Sequence, residues 1–156
     1  MPKVAEQVLI PHSADNLYEL VRDVQRYPDF IKWITNVRIS DETGGPETPY
    51  SCVGLVTVRF KGFEERFSST VQADPLHRRI DAKQYRGPFR HLRNRWQFDP
   101  REDGHTRVHC FIDYEFQNPV LNLLAQTNTR RAIERIIAAF HLEADRRFGN
   151  ETPGSD

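Results

Sequence analysis

From Val56 to Phe116 this chain alternates. Val56, Val58 and Phe60 share one side of a first run; Phe63, Glu65, Phe67, Ser69 and Val71 share a side of the next, against Glu64, Arg66, Ser68 and Thr70. Leu92, Trp96 and Phe98 alternate with His91, Arg93, Arg95 and Gln97, and Val108, Cys110, Ile112, Tyr114 and Phe116 with His109, Phe111, Asp113 and Glu115. A side-chain period of two is the mark of antiparallel strands that are wet on one side. Such a sheet has an apolar face to cover, and the cover comes next in the chain. Asn118-Pro119 starts a helix, since Asn caps free N–H groups and Pro loses no needed donor in the first turn. Gly149 ends it. The predicted helix, Pro119 to Phe148, has thirty residues and a length of roughly 45 Å. Ile133, Ile137, Phe140, Ala144 and Phe148 draw one apolar stripe along it.

Upstream, Val4 to Ile10 reads as a strand. Ser13 caps a helix running to about Val24, and Tyr27-Pro28 breaks it. A short helical turn is predicted over Asp29 to Trp33 and a strand over Asn36 to Ser40. Lys61-Gly62, Asp74-Pro75, Gly87-Pro88 and Arg101 to Gly104 read as turns, and Arg79 to Tyr85 as a weaker strand. The order is strand, two short helices, about six strands, long helix. That order predicts an α+β fold in which a curved antiparallel sheet of about seven strands wraps a long C-terminal helix. Residues 1–149 read as one domain and 150–156 as a polar, disordered tail.

Lys+Arg and Asp+Glu balance at 22 each, so bulk charge points to neither nucleic acid nor an acidic tail, and no DNA partner is expected. Locally, nine Lys/Arg face four acids between His77 and Arg107; such a run is a solvated face or a patch for phosphates of lipid headgroups or RNA. Cys52 and Cys110 make no disulfide framework. The start of the chain does not read as a signal peptide, and no run approaches the ~18 apolar residues of a membrane span. These readings suit a cytoplasmic protein, peripheral to the inner membrane at most. No histidine or cysteine spacing suggests zinc, and no motif nominates a nucleophile or phosphate loop. No catalytic residue, metal or cofactor is expected.

A curved sheet around a helix leaves an apolar cavity. Phe60, Phe67 and Trp96 from the strands and Ile133, Ile137 and Phe140 from the helix are expected to line it. Tyr27, Phe30 and Trp33, with Gly87, Pro88 and Phe89, lie beside turn signals and are expected at its entrance. The helix's stripe is interrupted by polar residues from Gln126 to Arg131. Thr127 and Arg130 continue the buried face there and are the candidates to meet a polar head.

Several strings carry a resemblance: VLIPHSADNLYELVRDVQRYPDFIKW (8–33), VRFKGFEERFSSTV (58–71), YRGPFRHLRNRWQFDP (85–100), VHCFIDYEFQNPVLNLL (108–124) and AFHLEADRRFG (139–149). Together they resemble the coenzyme Q-binding branch of the START-like, helix-grip superfamily, which includes the RatA-type ribosome association toxins. The family commonly has Pro-Trp after its YPxF element, where this chain has Lys32-Trp33. The resemblance implies a helix-grip fold that binds ubiquinone or a similar polyprenyl lipid, as a carrier or chaperone supporting respiration rather than as an enzyme. Ubiquinone would then be a ligand, not a catalytic cofactor. The alternative it implies is a regulator that binds the ribosome and blocks subunit association. Broader relatives include polyketide cyclases.

Overall fold

The computed structural model describes residues 3–60, 62–126 and 129–149. Seven strands form one antiparallel sheet: β1 (Lys3–Ile10), β2 (Ile34–Thr43), β3 (Tyr50–Phe60), β4 (Phe63–Asp74), β5 (Arg79–Arg86), β6 (Phe89–Pro100) and β7 (Thr106–Phe116). Their order is β1-β7-β6-β5-β4-β3-β2. β2 to β7 follow one another as a meander, and β1 closes on β7 by pairing Val8 with Val108. The expected α+β helix-grip architecture is therefore present.

The helices are α1 (Ala14–Arg22), α2 (Pro119–Gln126) and α3 (Thr129–Phe148). Ser13 caps α1, its hydroxyl accepting from the Asn16 amide at 3.1 Å. Asn118 caps α2, its side-chain oxygen accepting from the Val120 amide at 2.9 Å. Gly149, at φ 80°, follows the end of α3. The single helix expected over residues 119–148 is described as two stretches; residues 127 and 128 between them, like the tail from 150, lie outside the described residues.

Two local readings need correction. The turn expected over Asp29 to Trp33 lies earlier, as a 3-10 turn over Val24–Asp29 that contains Pro28. A 3-10 turn needs φ near the value Pro imposes, so the Tyr27-Pro28 pair is accommodated rather than excluded. Tyr27 holds it: its hydroxyl donates to the Val21 carbonyl, and its own carbonyl accepts from the Ile31 amide at 2.8 Å. β2 also runs well beyond Asn36 to Ser40. Its polar end is carried by pairing with β3 as far as Thr43 and Ser51, past an irregularity at Asp41, whose φ is 52°. Cross-strand hydrogen bonds hold that segment, and a hydropathy pattern does not register them.

The core lies between the sheet and the α1–α3 layer. Leu17, Leu20 and Val21 of α1 meet Ile133, Ile137, Phe140 and Ala144 of α3 and inward residues of the strands in one buried cluster. α3 approaches α1 and β1 most closely, so it leans on one side of the sheet.

Near its end α3 carries a buried carboxylate. Glu143, 5% exposed, accepts from Arg146 Nε at 2.8 Å and Arg147 Nε at 2.6 Å. The Arg146 hydrogen bond, helped by that of Arg147, lowers its pKa to about 2 against the opposing effect of burial. A depressed carboxyl pKa stabilises the fold above the unfolded value of roughly 4.3 and loses that contribution as pH falls toward the folded value. Glu143→Gln should therefore cost ~1–3 kcal/mol at neutral pH. The gap to wild type in urea-unfolding free energy should shrink between pH 4 and the lowest pH at which both remain folded; a constant gap would remove Glu143 from the acid response.

Candidate functional site

The inner face of the sheet is divided. Toward the ends bearing Tyr50, Asp74 and Arg79 it is sealed: Cys52, Val71, Ile80, Trp96, Phe98 and Cys110 are all 5% exposed or less. Phe140 of α3 is the hub of this part. Its ring meets those of Tyr27, Phe30 and Trp96, each at 5.2 Å between centroids. Ile133 and Ile137 belong to the same buried cluster.

Toward the Gly62 and Gly87 turns the same face is only half-buried. Val56 and Val58 pair with Phe67 and Glu65, Ala82 with Asn94, and Asn94 with Ile112; all of these, with Gln84 and Leu92, keep intermediate exposure. α3 leans toward β1, and the inward face of β3 to β6 stays half-exposed here; this strip, the trough, is mostly aliphatic and aromatic. Its polar groups are largely taken up by the protein. Gln84 staples the β5–β6 turn, donating to the Phe89 carbonyl at 2.9 Å and accepting from the Phe89 amide at 3.1 Å. Asn94 donates to the Phe111 carbonyl at 2.9 Å. Glu65 has no side-chain partner among the described residues.

The far wall is a second aromatic group. Phe89 stacks on Phe116 at 4.4 Å and meets Phe67 edge-on at 5.3 Å. Tyr114, beside them, shares a 2.6 Å hydrogen bond with the Thr129 hydroxyl and so ties β7 to the start of α3. Gly87 is required at the rim, since a Cβ there would stand 2.4 Å from Phe67 Cβ and 3.1 Å from its Cα.

The residues expected at the site separate accordingly. Phe67 borders the trough, whereas Trp96, Ile133, Ile137 and Phe140 lie in the sealed part. The side chain of Phe60 lies outside the described residues, as does Thr127. Tyr27, Phe30 and Trp33 are half-buried against the core, Pro88 is half-buried and Gly87 exposed, and Phe89 is 9% exposed. Arg130 is exposed and ion-paired with Glu6 of β1. The trough residues Ala82, Leu92, Asn94 and Ile112 were not singled out from sequence. Their signal was available, because Leu92 and Asn94 share the face of Trp96, but small and polar residues do not draw notice as aromatics do. The basic run is also weaker in space than along the chain. Arg78, Arg90, Arg95 and Arg101 are ion-paired, Arg95 with Asp81 at 2.6 Å and Arg90 with Glu115 at 3.4 Å, whereas Arg79, Lys83, Arg86, Arg93 and Arg107 have no ion partner among the described residues; Lys83 and Arg93 stand opposite each other on β5 and β6.

Burial pushes the Cys110 thiol up to about 12 and raises that of Cys52, so neither is poised as a thiolate nucleophile. Among the described residues no group of three His, Cys, Asp or Glu could hold a metal ion, and no helix is long and apolar enough to cross a membrane. Chemically, the trough can shield an apolar body from water.

Residues 10–141 match the family described as polyketide cyclase / dehydrase and lipid transport. The chain is 31% identical over 144 residues to the ribosome association toxin RatA of Escherichia coli (strain K12), covering 92% of this chain and 87% of that protein. It is 28% identical over 138 residues to the mitochondrial coenzyme Q-binding protein coq10 of Schizosaccharomyces pombe, covering 87% and 82%. An 18 kDa protein of Caulobacter crescentus, 32% identical, superposes with a TM-score of 0.79 over 96% of this chain and 99% of its own. The Zhui aromatase/cyclase of Streptomyces sp. R1128, at 20% identity, shares the fold with a TM-score of 0.82, covering 94% and 95%. With a family match over most of its length and relatives alike across nearly all of theirs, the chain belongs to the polyketide cyclase / dehydrase and lipid transport family.

Proposed function

We propose that this protein binds ubiquinone or a related polyprenyl lipid in the trough between the sheet and α3, and that it carries the lipid without transforming it. The half-buried, largely apolar strip from Val56 to Ile112, open beside an otherwise sealed core, is the observation that carries this reading; the likeness to a coenzyme Q-binding protein supports it. Isoprenoid tails make few directional demands, and their burial contributes roughly 25 cal/mol per Å². The tail would lie on Val56, Phe67, Ala82 and Leu92 and reach toward Ile133 and Ile137. The entrance would be bounded by the Tyr27–Trp33 segment and the Gly87-Pro88-Phe89 turn. Arg130 of α3, and Thr127, which lies outside the described residues, are the proposed contacts of the quinone head. Val120 and Leu123 of α2 are 62% and 64% exposed and would serve as a peripheral membrane contact on the cytoplasmic side. Redox chemistry would remain the quinone's own.

A second reading, in which the protein binds the ribosome and opposes subunit association, is favoured by the likeness to RatA and by the unpaired Lys83 and Arg93. One experiment separates the two. Purified protein is incubated with ubiquinone-loaded vesicles, re-isolated and extracted for mass spectrometry, and a second aliquot is added to ribosomal subunits before sedimentation. The carrier reading expects near-stoichiometric quinone and unchanged subunit joining. Empty protein together with a loss of joined ribosomes would replace it with the ribosomal reading.

A further inference from the structure

At the end of the sheet remote from the trough, a cleft of about 1180 Å³ opens between α1, the β2–β3 loop and the β4–β5 turn. No residue assigned to lipid binding lines it. It carries five carboxylates, Asp15, Glu19, Glu47, Asp74 and Asp81, against one guanidinium, Arg79. The hydrogen bond from His77 is the chief cause that holds the Asp74 carboxyl below the usual carboxylate range. Asp15 and Asp81 meet Arg78 and Arg95 at 2.8 and 2.6 Å, and ion pairs this exposed are weak; Glu19 meets the largely buried Arg22 at 2.5 Å. Glu47 has no ion partner among the described residues. Pro46, Pro49, Pro75 and Leu76 supply apolar wall, and Leu76 is 80% exposed.

A second feature marks this cleft. Tyr18 of α1 lines it while only 3% exposed, and its hydroxyl finds no hydrogen-bond partner among the described residues. Glu19 and Asp74, whose charges act on that hydroxyl together with that of Arg22, line the same cleft as Tyr18. A buried polar atom left unpaired is costly, and this one offers lone pairs to a donor slim enough to reach it. The acids ask for positive charge, and the proline and leucine wall for methylene groups. We propose that the cleft binds a linear aliphatic polyamine, one ammonium donating to Tyr18 Oη and another meeting Glu47 and Asp74.

The test titrates spermidine into the full chain, followed by amide chemical shifts and calorimetry. Trilysine and the uncharged 1,8-octanediol are run in parallel. Saturable shifts centred on Tyr18, Glu47 and Leu76, weakened by salt and absent with the diol, are expected. Tyr18→Phe should weaken spermidine about tenfold, as for one hydrogen bond to a charged donor. Glu47→Gln, on an exposed loop where folding is not at stake, should weaken it about threefold. Absence of saturable shifts, wild-type affinity in both variants, or binding of trilysine without spermidine would each overturn the proposal. Quinone loading plays no part in the readout, so this result is independent of the lipid-binding reading.

Discussion

Ala82→Trp should reduce polyprenyl quinone binding at least tenfold while leaving a cooperatively folded domain. Ala82 is on the inward face of β5, opposite Val71 on β4 and Asn94 on β6, at the boundary between the sealed core and the trough. An indole there would occupy the floor on which a tail must lie. Overpacking a filled core costs ~1–3 kcal/mol, whereas bulk added beside open space costs less. Ile137, 8% exposed within the sealed cluster, offers no such space. Tail-length titrations by fluorescence, with unfolding curves alongside, check the Ala82→Trp expectation. Unchanged affinity in a folded variant would place the lipid elsewhere.

Phe140→Ala should be the most destabilising single truncation in α3, at ~3–5 kcal/mol. Its ring is 3% exposed and meets three other rings, from the 3-10 turn, from its flank and from β6. Deleting it leaves a void bounded by groups that backbone hydrogen bonds hold in place. Of a typical stability of 5–15 kcal/mol this is a large share, and the melting midpoint should fall by roughly 6–20 °C. A calorimetric fall of only a degree or two would show that the site collapses, and that the sealed half of the core is less rigid than its contacts suggest.

The strand faces were legible in the sequence because period two is a local property. Phe67, Trp96 and Tyr114 all fall on the inward side the alternation assigned them. The caps at Ser13 and Asn118 and the end at Gly149 were legible for the same reason, each resting on side chains within three residues. What escaped was set by partners far along the chain. Phe89 follows a turn signal and so read as a rim residue, yet stacking on Phe116 buries it. Arg95 read as part of a basic run, and Asp81 across the β5–β6 ladder neutralises it. The cleft at Tyr18 gathers α1, β3, β4 and β5, and no single segment of the sequence announces it. The trough itself was half legible. Its walls follow from alternation, but the boundary between sealed and open face does not.

The most direct test of lipid binding at the trough is photo-crosslinking with a ubiquinone analogue that carries a diazirine in its tail. After vesicle loading, irradiation and proteolysis, mass spectrometry should place the adducts on inward residues of β3 to β6, chiefly Val56, Phe67, Ala82 and Leu92, and unlabelled ubiquinone should compete them away. Adducts confined to the exposed face of α2 or to the cleft at Tyr18, or labelling that ubiquinone leaves unchanged, would contradict the account.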